Sequence, residues 1–142
     1  MKSIKFGIAP GKFIMPFLSA LMLFFFISCS RKTTFMVSTV VPAARGSVKI
    51  KKDDNKNYGI KIKISFLTEP ERLVPPKKTY VVWVLSNNNN AQNVGQLKSS
   101  NKLNASFESV TSSNPFRIYI TAEDDATIQY SYEPVVLTTP DF

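Results

Sequence analysis

Thr79-Tyr80-Val81-Val82-Trp83-Val84-Leu85 is the stretch on which the fold reading turns. In an extended chain successive side chains point to opposite faces, so Tyr80, Val82 and Val84 share one face and Val81, Trp83 and Leu85 the other. Both faces are apolar, which is the pattern of a central strand buried on both sides. Its β-branched and aromatic residues favour a strand over a short helix. Pro75, Pro76, Lys77 and Lys78 lead into the stretch, and the polar run Ser86, Asn87, Asn88, Asn89, Asn90 ends it.

Upstream, residues 58–67 alternate with a period of two. Tyr58, Ile60, Ile62, Ile64 and Phe66 fall on one face, and Gly59, Lys61, Lys63 and Ser65 on the other. A helix would scatter those isoleucines around its axis, so a second strand is expected. Residues 68–78, with Pro70, Pro75 and Pro76, read as a connection between sheets, with Leu73 turned toward the core. Residues 47–52 put Val48 and Ile50 inward and Lys49 and Lys51 outward, and the polar residues 53–57 join this run to the next as a hairpin. A first strand is expected over 37–41, ended by Pro42, with residues 29–35 as a short lead before a single domain over 36–142.

Downstream, a short strand is expected over 93–97, bent at Gly95, followed by a polar turn over 98–102. Leu103, Ala105 and Phe107 form the inward side of another strand. Phe116, Ile118 and Ile120 then face inward opposite Arg117, Tyr119 and Thr121, and one or two last strands are expected over 128–132 and 135–138. Roughly seven to nine strands separated by polar turns imply an all-β fold, an immunoglobulin-like two-sheet β-sandwich. The expected core comprises Tyr80, Val82, Trp83, Val84, Ile62, Ile64, Phe107 and Ile118, with Trp83 between the sheets.

The first 28 residues differ in character from the rest. Lys2, Lys5 and Lys12 give a basic start, and residues 13–27 form an apolar run that ends at Ser28 and Cys29. That is the layout of a secretory signal, and the run is short of the roughly 20 residues that span a bilayer. Around the expected cut, Phe26, Ile27, Ser28 and Cys29 resemble a bacterial lipoprotein signal, in a loose form similar to that of the Bacteroidetes. Phe26 stands where leucine is usual, and Ser28 where glycine or alanine is usual. The resemblance implies removal of residues 1–28, acylation of Cys29 and a membrane as partner. Ser30 after the cysteine implies sorting to the outer membrane, and Arg31 and Lys32, in place of an acidic export tag, imply its periplasmic side. Cys29 is the sole cysteine, so no internal disulfide competes for it.

Residues 77–123 are similar to the extracytoplasmic domain of anti-sigma-K-type regulators. The likeness is carried by Thr79, Tyr80, Val82, Trp83 and Val84, then Gly95 and Leu97, then Phe107, and finally Ile120, Thr121, Ala122 and Glu123. It implies a β-sandwich. The cytoplasmic sigma-binding part of that family has no counterpart before Cys29, so the fold is expected without the regulatory activity.

Charge and composition narrow the chemistry. Lys2, Lys5 and Lys12 account for three of the 18 basic residues, which leaves 15 against 10 acidic ones, a net charge of +5. That is ordinary for a folded surface and gives no reason to expect nucleic acid as a partner. The chain has no histidine, which removes the usual general base and the commonest metal ligand. Gly46, Gly59 and Gly95 are too far apart to cradle a phosphate, so no nucleotide cofactor is expected. Glu123, Asp124 and Asp125, like Asp53 with Asp54 and Asn55, lack calcium-loop spacing, and no metal site is expected.

Lys49, Lys51, Lys61 and Lys63 form a candidate basic surface. Near an anionic surface each exposed lysine adds roughly 1 kcal/mol of attraction. A solvated face that resists edge-to-edge pairing explains the same pattern. The functional expectation is a non-enzymatic, lipid-anchored periplasmic binding or structural module with an envelope protein or glycan as partner. Two alternatives stand beside it: an accessory subunit of an envelope assembly, and a small carboxylate-dependent hydrolase using Glu69 and Glu71.

Overall fold

Period-two alternation becomes two antiparallel sheets packed face to face. The computed structural model describes residues 29–101, 103–132 and 134–142, and the signal-like segment 1–28, with Phe26, Ile27 and Ser28, lies outside the described residues. In chain order the strands are β1 (Ser30–Thr34), β2 (Arg45–Lys52), β3 (Tyr58–Ser65), β4 (Thr79–Ser86), β5 (Ala91–Gln96), β6 (Lys98–Asn101), β7 (Asn104–Thr111), β8 (Pro115–Glu123) and β9 (Val135–Thr138). Sheet A has the order β1-β2-β3-β7-β6 and sheet B the order β5-β4-β8-β9. Within sheet A, β2-β3-β7-β6 matches strands A-B-E-D of an immunoglobulin domain, and β4-β8-β9 in sheet B matches C-F-G with β5 beside C. β1 is an addition outside the A strand.

Inward residues of both sheets fill the space between them. Val48, Ile50, Ile60, Ile62, Ile64 and Phe107 from sheet A meet Tyr80, Val82, Val84, Ile118 and Ile120 from sheet B. Ile62, Val82, Val84, Ile118 and Ile120 have no exposed surface. Burial of one such side chain stabilises by about 1.5–3 kcal/mol, so this layer decides the register of each strand. Leu73 packs against it from the β3–β4 connection, as expected.

Several expectations are corrected. The first strand lies over residues 30–34, not 37–41, so the lead expected over 29–35 is already part of sheet A. Residues 35–38 instead cross between sheets: the Phe35 amide bonds Gly46 O on β2, while the Met36 amide bonds Thr138 O on β9. Ser38 Oγ completes the crossing with a 2.5 Å bond to Val136 O. Gly46 permits it, because a Cβ there would lie 2.9 Å from both Ile64 Cγ1 and Phe35 Cδ2.

Phe66 was expected inward, yet it is 60% exposed. A φ of 58° at Phe66 ends the alternation, so Leu67 takes the buried place at 5% exposure. Residues 98–101 form the edge strand β6 where a turn was expected, because an edge strand with no apolar alternation leaves no periodic signal. Leu103 lies in a turn, 48% exposed, with Ala105 and Phe107 as the buried residues of β7. Residues 128–132 do not form a strand and lie over sheet B.

Candidate functional site

Alternation along β4 places Trp83 on the face opposite Val82 and Val84, so the indole is buried outside the inter-sheet core. Its register partners are Asn93 on β5 and Tyr119 on β8. The Trp83 and Tyr119 rings stack with centroids 6.1 Å apart and planes 9° apart. Indole Nε1 donates to Thr121 Oγ1 at 2.9 Å, which satisfies the one polar atom of a fully buried ring.

Residues 124–132 are tied down on both sides of that ring. Asn93 Nδ2 donates to Ala126 O at 2.9 Å and to Ile128 O at 2.8 Å. Across the strand, Tyr119 Oη and Ser131 Oγ share a 2.9 Å hydrogen bond. The segment therefore acts as a cap over sheet B, and it leaves Tyr130 and Tyr132 projecting at 78% and 67% exposure. At its start Asp125 accepts from the Thr127 amide and hydroxyl, both at 2.8 Å, and these bonds hold its carboxyl below the usual 3.8.

The outer face of sheet A is open. Register places Lys32, Lys49 and Lys61 side by side on β1, β2 and β3, with Glu108 on β7 completing the row and paired to Lys61. A second row runs Thr34, Ser47, Lys63, Ser106, Lys98, and a third runs Ser30, Lys51, Gly59, Val110. All four lysines named from the sequence share this face, with Lys49 and Lys61 directly opposed. Lys32 and Lys98 join them and escape sequence reasoning, because the polar edge strands β1 and β6 carry no apolar alternation. Cys29 is exposed, one residue before Ser30, which faces Lys51.

A cleft of about 560 Å³ opens at the end of the sandwich away from Cys29, lined by Glu69, Glu71, Lys78, Tyr80, Gln96, Lys98 and Asn104 among others. The Tyr80 hydroxyl donates to Thr68 O at 2.7 Å. Burial, reinforced by the negative charge of Glu71, pushes that hydroxyl far above its usual 10.0, so it stays protonated and serves as a donor. Glu69 is held by Arg72 at 2.9 Å across the short 3₁₀ turn Pro70–Arg72. Elsewhere Asp53 accepts from the Asn57 amide within the β2–β3 turn, and Asp124 pairs with Lys77 at 3.0 Å. Most of these carboxylates are engaged in turn bonds and ion pairs.

No family model matches the chain, and neither a curated protein nor a solved structure matches it.

Proposed function

We propose that this chain is a non-enzymatic, lipid-anchored module of a bacterial envelope, held by acyl chains on Cys29 at the periplasmic face of the outer membrane. The observation that carries the reading is the place of Cys29, an exposed thiol immediately before an edge strand. Acyl chains there would reach a bilayer without passing through the sandwich, and two or more chains hold a protein on a membrane stably. With almost no tether between Cys29 and β1, the bilayer would fix the orientation of the whole domain. The resemblance of residues 26–29 to a lipoprotein signal supports the same reading, and the likeness to anti-sigma-K-type domains bears on the sandwich alone.

Physical arguments favour binding or support over catalysis. There is no histidine, the Tyr80 hydroxyl is a protonated donor, and Glu69 is ion-paired with Arg72. General acid–base chemistry needs a group poised near the working pH, and the Tyr80 hydroxyl, held protonated by burial, is not one. The test is detergent phase separation of the full chain made with a labelled fatty acid. Wild type should carry label and enter the detergent phase, whereas Cys29→Ser should lose the label. Label retained by Cys29→Ser would refute the anchor.

Exposed Tyr130 and Tyr132 on the cap favour a second reading, an accessory subunit of an envelope protein assembly. Capture from native envelopes should then retain a stoichiometric protein partner, and Tyr130→Ser with Tyr132→Ser should release it.

A further inference from the structure

We propose that the outer face of sheet A docks flat on an anionic phospholipid bilayer. The anchor beside that face rests on the preceding reading, while the charge argument stands without it. Lys32, Lys49 and Lys61 occupy neighbouring strands in direct register. Strands lie about 4.8 Å apart, and like charges placed opposite each other destabilise a sheet. Glu108 offsets only the end of that row, through its pair with the exposed Lys61. One carboxylate stands against Lys32, Lys49, Lys51, Lys61, Lys63 and Lys98, so the face keeps most of its positive charge.

The distribution of charge points to an extended anionic surface as the partner. Among the described residues Glu108 is the acid on the strands of this face, while Asp53, Asp54, Glu69, Glu71, Asp124 and Asp125 lie in turns and connections. Gly59, Ser47 and Ser106 stand between the lysines, so short side chains leave shallow ground, with an open hollow beside Gly59, above which the long ones extend. A bilayer rich in anionic headgroups presents the complementary plane, and lysine stems can lie along it while their ammonium groups reach phosphate. Cys29 is one residue from Ser30, which faces Lys51, so an inserted acyl anchor would hold this edge at headgroup depth.

The test uses the full chain purified in detergent and reconstituted into phosphatidylcholine vesicles with or without phosphatidylglycerol. Lysine acetylation is read residue by residue by mass spectrometry. Labelling of Lys32, Lys49 and Lys61 should fall several-fold when phosphatidylglycerol is present and return at high salt, as screening predicts. Lys77 and Lys78, in the β3–β4 connection, should label equally in both. Lys32→Gln with Lys49→Gln and Lys61→Gln alters only exposed side chains, and should weaken docking on the order of 100-fold and unmask Lys51 and Lys63. Equal labelling of the wild type in both vesicle types would overturn the proposal. Protection by a soluble sulfated polymer with none by the vesicles would also overturn it, in favour of an anionic polymer. The same spectra report whether Cys29 is acylated, so failure of the anchor is distinguished from failure of the docking face.

Discussion

Sheet A and sheet B treat their outer faces in opposite ways. Sheet A leaves rows of lysine, serine and glycine in water, while sheet B buries Trp83, Val81 and Thr121 completely beneath the 124–132 segment. The outer face of sheet A should therefore tolerate substitution, and that of sheet B should behave as a second core. One surface is available for docking; the other is already occupied by the chain itself.

The sharpest way to break this comparison is Trp83→Ala. Loss of a fully buried ring, its stack on Tyr119 and its bond to Thr121 should cost about 3–5 kcal/mol in urea denaturation. Lys61→Ala on the opposite sheet should stay within about 0.5 kcal/mol of wild type. A cost for Trp83→Ala no larger than that for Lys61→Ala would mean that the cap does not form. Gly46→Val tests the crossing between sheets: a side chain in contact with Phe35 and Ile64 should cost about 1–3 kcal/mol by the same assay.

Asn93→Ala sharpens the picture of the cap. It removes both bonds to Ala126 O and Ile128 O, and a loss of about 1–3 kcal/mol is expected. Trp83 is the only tryptophan, so its fluorescence should shift to the red as water reaches it, and unchanged emission would show that other contacts hold the segment. Lys49→Gln has a smaller effect of opposite sign. Relief of the contact with Lys32 and Lys61 should stabilise by about 0.2–1 kcal/mol at low salt and by less at high salt.

The gentlest probe is pH. Bonds from Thr127 favour the ionised form of Asp125, so its contribution is present above the unfolded-state value and is lost as pH falls through the folded one. An NMR titration should place the Asp125 carboxyl below 3.8, and a midpoint at or above that value would show that the turn is open in solution.

Much of this contrast was written in the strand patterns. In β3, alternating isoleucine and lysine can have only one buried face, and Tyr80 to Leu85 in β4 can hardly have an exposed one. What covers the second face was not legible, because residues 124–132 are polar and lack periodicity, and they hold by Asn93 and Ser131 hydrogen bonds. The place of Trp83 follows from its parity with Val81, opposite Val82 and Val84, and not from the general tendency of a tryptophan to fill the space between sheets. The lysine face was half legible: β2 and β3 announce their pattern, whereas β1 and β6 are polar edge strands recognisable only from their partners. The left-handed turn at Phe66 leaves no sequence signal either, since a phenylalanine rarely adopts it.

The central claim is that Cys29 anchors the edge of sheet A to a membrane, and the intact mass of the protein extracted from its native envelope tests it most directly. The account predicts a chain that begins at Cys29 and carries a thioether-linked diacylglycerol. A full-length chain with a free thiol would contradict it.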